Sequence, residues 1–333
     1  MPAPIRRRRG TAAAIALTAG VTGAALLLSG CGPDDPTADG TTPPATTGAP
    51  TAPVKPVTSS SALNGTAHGG LTISDGTRYV VMNGTRVDFG TLVRDLSWSP
   101  DGTKAAFVDG DGDLVVSDPD GSGRVVVAKN PGGQTWSHPT WQTRKADPAN
   151  GLTALDNLMF AAQSGGTTKL ESVPATGGAP QPIGLNELPS DHPDPLPATG
   201  NIWPNAGSNG AAAYANPGTG KVYIRDDNIR QQGSAVTTGS EPAMSADAME
   251  DIVFVRSVDG HDHLFLDRGT NNGPTFKDLT PGATTDYTEP AFSPAGDVVA
   301  ARTPAGIVEV RLDGTGSPVK VSDYKGLPAF RTS

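Results

Sequence analysis

The stretch from Leu96 to Lys129, LSWSPDGTKAAFVDGDGDLVVSDPDGSGRVVVAK, leaves few folds open to this chain. It reads as four short strands separated by turns. Trp98 ends the first strand, and Ser99-Pro100-Asp101-Gly102 places Ser, Pro and Gly at the positions a type I hairpin turn prefers. Thr103 to Val108 forms the second strand. Asp109-Gly110-Asp111-Gly112 turns the chain into Asp113 to Ser117, and Pro119 to Gly123 turns it again into Arg124 to Ala128. No run here is long enough for an ordinary helix. Ala105, Ala106, Phe107 and Val108 put apolar groups on both faces of the sheet, so the unit needs neighbours like itself.

Those neighbours are present as repeats. Trp98 aligned on Phe292 brings Ser99-Pro100-Asp101-Gly102 onto Ser293-Pro294-Ala295-Gly296, Gly112 onto Gly306, Leu114 onto Val308 and Val116 onto Val310. Agreement over about twenty positions marks a repeat and not a shared turn. Glu241-Pro242-Ala243-Met244-Ser245 opens another copy, His138-Pro139-Thr140-Trp141 a third, and Ile202-Trp203-Pro204 a fourth. The anchors Trp98, Trp141, Trp203, Met244 and Phe292 recur at roughly 40 to 48 residues, apart from one longer interval that contains the insertion Asn186 to Gly200. Leu327-Pro328-Ala329-Phe330 repeats Glu289-Pro290-Ala291-Phe292 and then the chain stops, while Leu71 to Phe89 supplies strands without an opening strand. Pairing the two ends completes one blade. The expected fold is therefore all-β: a six-bladed β-propeller with four-stranded blades, closed by pairing of the C-terminal strand with the N-terminal blade. Closure buries each blade face and leaves only short edges.

The 42 glycines, 31 prolines and 5% aromatic content suit many short strands joined by turns. Residues 1 to 30 stand apart as a signal peptide, with Arg6 to Arg9 ahead of an apolar stretch from Ala12 to Leu28. Leu28-Ser29-Gly30-Cys31 resembles the bacterial lipoprotein processing box, and the resemblance implies that Cys31 receives a diacylglycerol, palmitate included, through its sulfur and becomes the new N-terminus after cleavage. Cys31 is the only cysteine, so it has no disulfide partner within the chain. Arg8-Arg9 is followed by Gly10-Thr11-Ala12, which favours the general secretory route over twin-arginine export. Residues 31 to 64 are Pro-, Thr- and Ala-rich with almost no large apolar side chain and read as a disordered tether, leaving 65 to 333 for the propeller. The expected location is the extracytoplasmic face of the cell membrane.

The Trp-Ser-Pro-Asp-Gly repeat followed by an apolar strand resembles the propeller of the TolB family, the WD-like repeat also found in the non-catalytic domains of prolyl oligopeptidase-type enzymes. The resemblance implies a rigid ring that offers loops and a channel for binding. A lipobox and tether replace the extra N-terminal domain of TolB, so the family's partners do not transfer.

The net charge of −9, about −13 once Arg6 to Arg9 are removed, opposes a nucleic-acid partner. No Gly-x-Ser-x-Gly elbow, phosphate loop or dinucleotide fingerprint is present, which gives the expectations of no enzyme activity and no cofactor. Asp109, Asp111 and Asp113 have the alternate spacing of a calcium loop but lack its Gly and Glu, so they read as a turn. His261 and His263 lie on one side of a strand without an evident third ligand, and no metal is expected there. Three positions before each anchor stand Asp95, His138, Gly200, Glu241, Glu289 and Leu327. Equivalent anchors bring these to one end of the channel, with Asp95, His138, Glu241 and Glu289 as candidate binding residues for a cation, a basic peptide segment or a sugar. The Trp and Phe anchors read as inter-blade packing. The functional expectation is a protein-binding or scaffold module whose partners are envelope or membrane proteins. The alternatives are a propeller enzyme acting on a glycan or small ester, and a ligand sensor serving a membrane kinase.

Overall fold

The computed structural model describes residues 63–186, 195–227, 232–247, 250–269 and 275–332. The stretch expected to be a signal peptide, Cys31 and nearly all of the expected tether lie outside them. Among the described residues, six four-stranded antiparallel sheets account for nearly all regular structure, and the only helical pieces are the short 3₁₀ turns Gly65–Ala67 and Pro148–Asn150. No helix among them is long and apolar enough to cross a membrane.

Each sheet is a blade whose strands follow in chain order from the channel outward, with one exception. Blade II consists of Arg94–Trp98, Ala105–Val108, Leu114–Ser117 and Val125–Ala128. Blades III to VI open on the innermost strands Gln134–Arg144, Ile202–Ala206, Ser240–Met244 and Thr288–Phe292. Blade I is the exception: its innermost strand is Leu327–Phe330 from the C-terminus, paired antiparallel with Leu71–Ser74 so that Leu71 faces Phe330 and Ser74 faces Leu327. Arg331 extends this closure, donating its backbone N–H to the Gly70 carbonyl at 2.9 Å and its Nε–H to the Gly102 carbonyl at 2.7 Å.

The apolar content of both blade faces has a direct structural counterpart. Ala106 and Val108 pack with Trp141, Leu158 and Phe160 of blade III, whereas Ala105 and Phe107, one residue out of phase, pack with Val80 and Phe89 of blade I. The two-residue period of a strand thus sends alternate side chains to the two neighbours. Each of the six seams has its own apolar cluster, including Leu71, Ile73, Ala300 and Ile307 at the seam that closes the ring. Burial at about 25 cal/mol per Å² makes these seams the main stabilising term. The anchor tryptophans add directed contacts. Trp98 Nε1 donates to Thr72 Oγ1 at 2.9 Å and Trp141 Nε1 to the Ser97 carbonyl at 3.4 Å, each reaching the preceding blade.

One expected alignment is corrected. Trp203 is not the anchor of blade IV. The pairing of Ile202–Ala206 shifts register between Ile202 and Asn205, as it does between Arg94 and Ser97, Ser137 and Thr140, Ser240 and Ala243, and Thr288 and Ala291. The residue after the first member of each pair is equivalent, so Trp203 matches Asp95, His138, Glu241 and Glu289, and the anchor position falls to Ala206. Gly200 stands three residues upstream, where its N–H donates to the Thr168 carbonyl.

Candidate functional site at the channel mouth

The register shift is a β-bulge, and it aims the site. Asp95, His138, Trp203, Glu241 and Glu289 all have φ between 47° and 55°, the left-handed region that costs a non-glycine residue about 1–3 kcal/mol. Four of them precede proline, at Pro139, Pro204, Pro242 and Pro290. Proline has no N–H, so the widened ladder leaves no donor unpaired there. The N–H of the left-handed residue itself is taken up in two blades by the side chain one blade back. Asp95 Oδ2 accepts from His138 N at 3.0 Å, and Glu241 Oε2 accepts from Glu289 N at 2.7 Å. These carboxylates therefore tie neighbouring blades together as well as lining the mouth.

The order of innermost strands around the ring places blade III opposite blade VI. His138 and Glu289, from these opposed blades, nonetheless meet across the axis, with His138 Nε2 3.6 Å from Glu289 Oε2. His138 Nδ1 lies 3.9 Å from Asp95 Oδ2. Both separations suit ion pairs and exceed hydrogen-bond length. The His138 side chain remains a quarter exposed, yet both ring nitrogens are shielded from water and make no hydrogen bond. The Trp203 indole meets the imidazole edge-on, with centroids 6.3 Å apart.

Electrostatics follow from this crowding. Burial pulls the His138 imidazole toward neutrality, but Glu289, Asp95 and Glu241 outweigh it and hold the pKa above its ordinary value. Burial also acts against ionised Glu289, and is outweighed by His138, Arg302 and the Trp203 side chain, so its carboxyl stays below the usual range. Glu241 goes the other way: burial and the neighbouring Glu289 charge push it up to about 7, against the Glu289 N–H and Arg302. A carboxyl raised to about 7 thus sits beside an imidazole held toward its charged form and a carboxyl held toward ionisation.

The structure brings Asp95, His138, Glu241 and Glu289 together and adds Trp203. Leu327 belongs to the one innermost strand that pairs without a bulge. The other candidates are elsewhere. Asp109 Oδ1 accepts from the N–H groups of Asp111 and Asp113, and Asp113 Oδ1 from Asn130 N, so that cluster's carboxylates shape the turn. His261 Nδ1 is 3.2 Å from Asp286 and His263 Nδ1 is 2.9 Å from Asp278, each imidazole engaging its own carboxylate. Among the described residues, no three His, Cys, Asp or Glu side chains are grouped so as to hold a metal ion. An open surface depression lined by Asp88, Gly90, Gly121 and Arg124 lies between the end of the outer strand of blade I and the turn leading into the outer strand of blade II, and includes none of the mouth residues.

No family model matches the chain, and no curated protein does. Solved structures do. A nidogen/laminin complex matches at 9% identity with a TM-score of 0.52, over 78% of this chain and 97% of that one. A streptogramin B lyase matches at 13% identity and TM-score 0.45, over 71% of this chain and 73% of that one. A candidate gluconolactonase matches at 12% and 0.48, over 77% and 81%. At such identity the likeness shows the fold alone. The expectation of no enzyme activity is nonetheless corrected, since a lyase and a candidate gluconolactonase are among the similar solved structures. The physical reason is that a ring can converge titratable side chains on its own axis.

Proposed function

We propose that the chain is an exported, lipid-anchored β-propeller, TolB-like in its mode of use, that acts as a binding module of the bacterial cell envelope and holds its ligand or partner at the channel mouth. The observation that carries the reading is the recurrence of one bulge in five blades, which turns Asp95, His138, Trp203, Glu241 and Glu289 toward a common point. Strain repeated at one station persists where it is useful, and convergent polar groups at a concave end are the usual start of recognition. Cys31, directly after the apolar stretch, supports the anchor and an extracytoplasmic location. The partners are proteins of the envelope or membrane, and the acidic surface disfavours nucleic acid.

Crosslinking on intact cells tests this. Capture of a membrane protein by the native chain, lost when Glu241 and Glu289 are both changed to Gln, supports the reading, and unchanged capture removes it. Replacing Cys31 with Ser is expected to release the protein from the membrane fraction.

A second reading is acid–base catalysis at the same mouth on a glycan or small ester. It is favoured by Glu241, poised at about 7 beside His138. Turnover of such a substrate that disappears in His138→Gln would favour it over simple binding.

A further inference from the structure

Resting on the reading that the mouth is the binding site, we propose that its ligand is a cationic side-chain group, the guanidinium or ammonium of a basic peptide segment, which enters by displacing the His138 imidazole from among Asp95, Glu241 and Glu289. His138 occupies the place such a group would take. It spans from blade III to Glu289 on the opposite blade and lies beside Asp95 of blade II, at 3.6 and 3.9 Å. Its ring nitrogens are covered from water but unbonded, so on swinging out the imidazole gives up its ion pairs with Glu289 and Asp95, which the incoming cation replaces, and no hydrogen bond.

What remains is a set of three carboxylates with one indole beside it. Asp95 Oδ2 and Glu241 Oε2 are held in place by backbone N–H groups of the following blades, which preorganises them. A guanidinium offers five planar donors to such a set, and Trp203 offers a ring against which a cation is attracted. An anionic ligand would meet like charge on Asp95 and Glu289 at close range, joined by Glu241 as that carboxyl ionises. The charged and titratable groups that act on His138, Glu241 and Glu289 are Asp95, Glu241 and Glu289 from three innermost strands, Arg302 behind Glu289 and Glu241, and Asp262, which acts on Glu241, while Arg94 on the Asp95 strand donates instead to the Asp109 carbonyl. Trp203 and Leu327 bring none from the other two.

The exchange has a proton signature. The incoming cation replaces an imidazole that its carboxylates hold toward the charged form, a hold that is lost once the ring leaves them, and it favours ionised Glu241. Both effects release protons, so binding tightens as pH rises.

Titration calorimetry of the full-length chain from pH 5.5 to 8.5 tests the exchange, with acetylated Gly-Arg-Gly amide as probe, Gly-Lys-Gly for the ammonium and Gly-Gln-Gly as uncharged control. The arginine probe is expected to bind and the glutamine probe not to. Affinity should rise about tenfold per pH unit for each proton released on the acid side. His138→Gln should keep binding, tighten it at least tenfold at pH 5.5 and flatten the pH dependence, whereas Glu289→Gln should weaken it at every pH. His138→Asn serves if the Gln variant does not melt cooperatively. Weaker binding in the His138 variants, or binding without proton release, overturns the displacement. If no cationic probe binds, this inference fails alone where Glu241→Gln with Glu289→Gln still abolishes crosslinked capture, and fails together with the mouth-binding reading where capture is unchanged.

Discussion

Two innermost strands of this ring have almost the same sequence and do different work. Glu289-Pro290-Ala291-Phe292 in blade VI breaks its ladder with a bulge, and Leu327-Pro328-Ala329-Phe330 in blade I pairs four residues in a row with Leu71–Ser74. The bulge turns a side chain into the channel at the cost of a hydrogen-bonded pair and a left-handed residue. The closing strand has no covalent link to its blade and depends on pairing, so it keeps the unbroken ladder and presents an apolar Leu327. Aiming a side chain and closing the ring make opposite demands on one strand type. The five blades joined by chain continuity can give up the pairs that the sixth needs.

The sharpest way to break this comparison is to remove the closing strand. A chain ending at Gly326 loses the Leu71–Phe330 ladder and uncovers the seam containing Leu71, Ile73 and Ile307. It is expected to lose its cooperative thermal transition, and a melt unchanged within a few degrees would show that the ring does not depend on that strand. Next in size is a contrast between tryptophans. Trp98→Ala empties part of the blade I–II core and removes the donor to Thr72 Oγ1, and should cost about 3–5 kcal/mol in chemical denaturation. Trp203→Ala, half-buried at the bulge station, should cost well under half as much and act instead on the mouth. Equal costs would return Trp203 to the anchor role.

Smaller effects concern charge. Glu241 has a pKa raised to about 7, so its ionisation opposes folding. Stability from this group is intact below the unfolded value and declines as pH rises through about 7. Glu241→Gln keeps an acceptor for the Glu289 N–H and should stabilise the protein by about 1–3 kcal/mol at pH 8 and by little at pH 5, measured by urea denaturation. The smallest expected change is in Thr72→Val, about 1 kcal/mol, from loss of the hydroxyl that accepts from Trp98 Nε1 and donates to the Ala329 carbonyl.

The ring and its closure were legible because Ser99-Pro100-Asp101-Gly102 and Ser293-Pro294-Ala295-Gly296 fix the register of two blades, and Leu327 to Phe330 copies an innermost strand. Blade IV was misaligned because it lacks that turn, and a large aromatic drew the alignment toward Trp203. The available signal was the dipeptide: Trp203-Pro204 corresponds to His138-Pro139, Glu241-Pro242 and Glu289-Pro290. Alignment on proline would have placed Trp203 in the mouth and removed Gly200. The bulge itself left no mark that periodicity reads, since it depends on φ at a single residue. Nor could spacing reveal that Asp95 and Glu241 hold backbone N–H groups of the next blade, a role that makes part of the acidic rim architectural. The presumption against catalysis came from the absence of local sequence motifs, whereas the titratable groups at the mouth come from strands far apart in sequence.

The central claim is that residues far apart in sequence meet at one mouth because six blades close around it. Histidine-detected NMR titration measures this directly, since the chain has only 5 histidines. His138 is predicted to titrate above about 6.5, the unperturbed value, and to drop toward or below it in Glu289→Gln, with stability from the pair lost as pH rises through the native-state value. A His138 that titrates at its ordinary value and ignores the change at Glu289 would contradict the account.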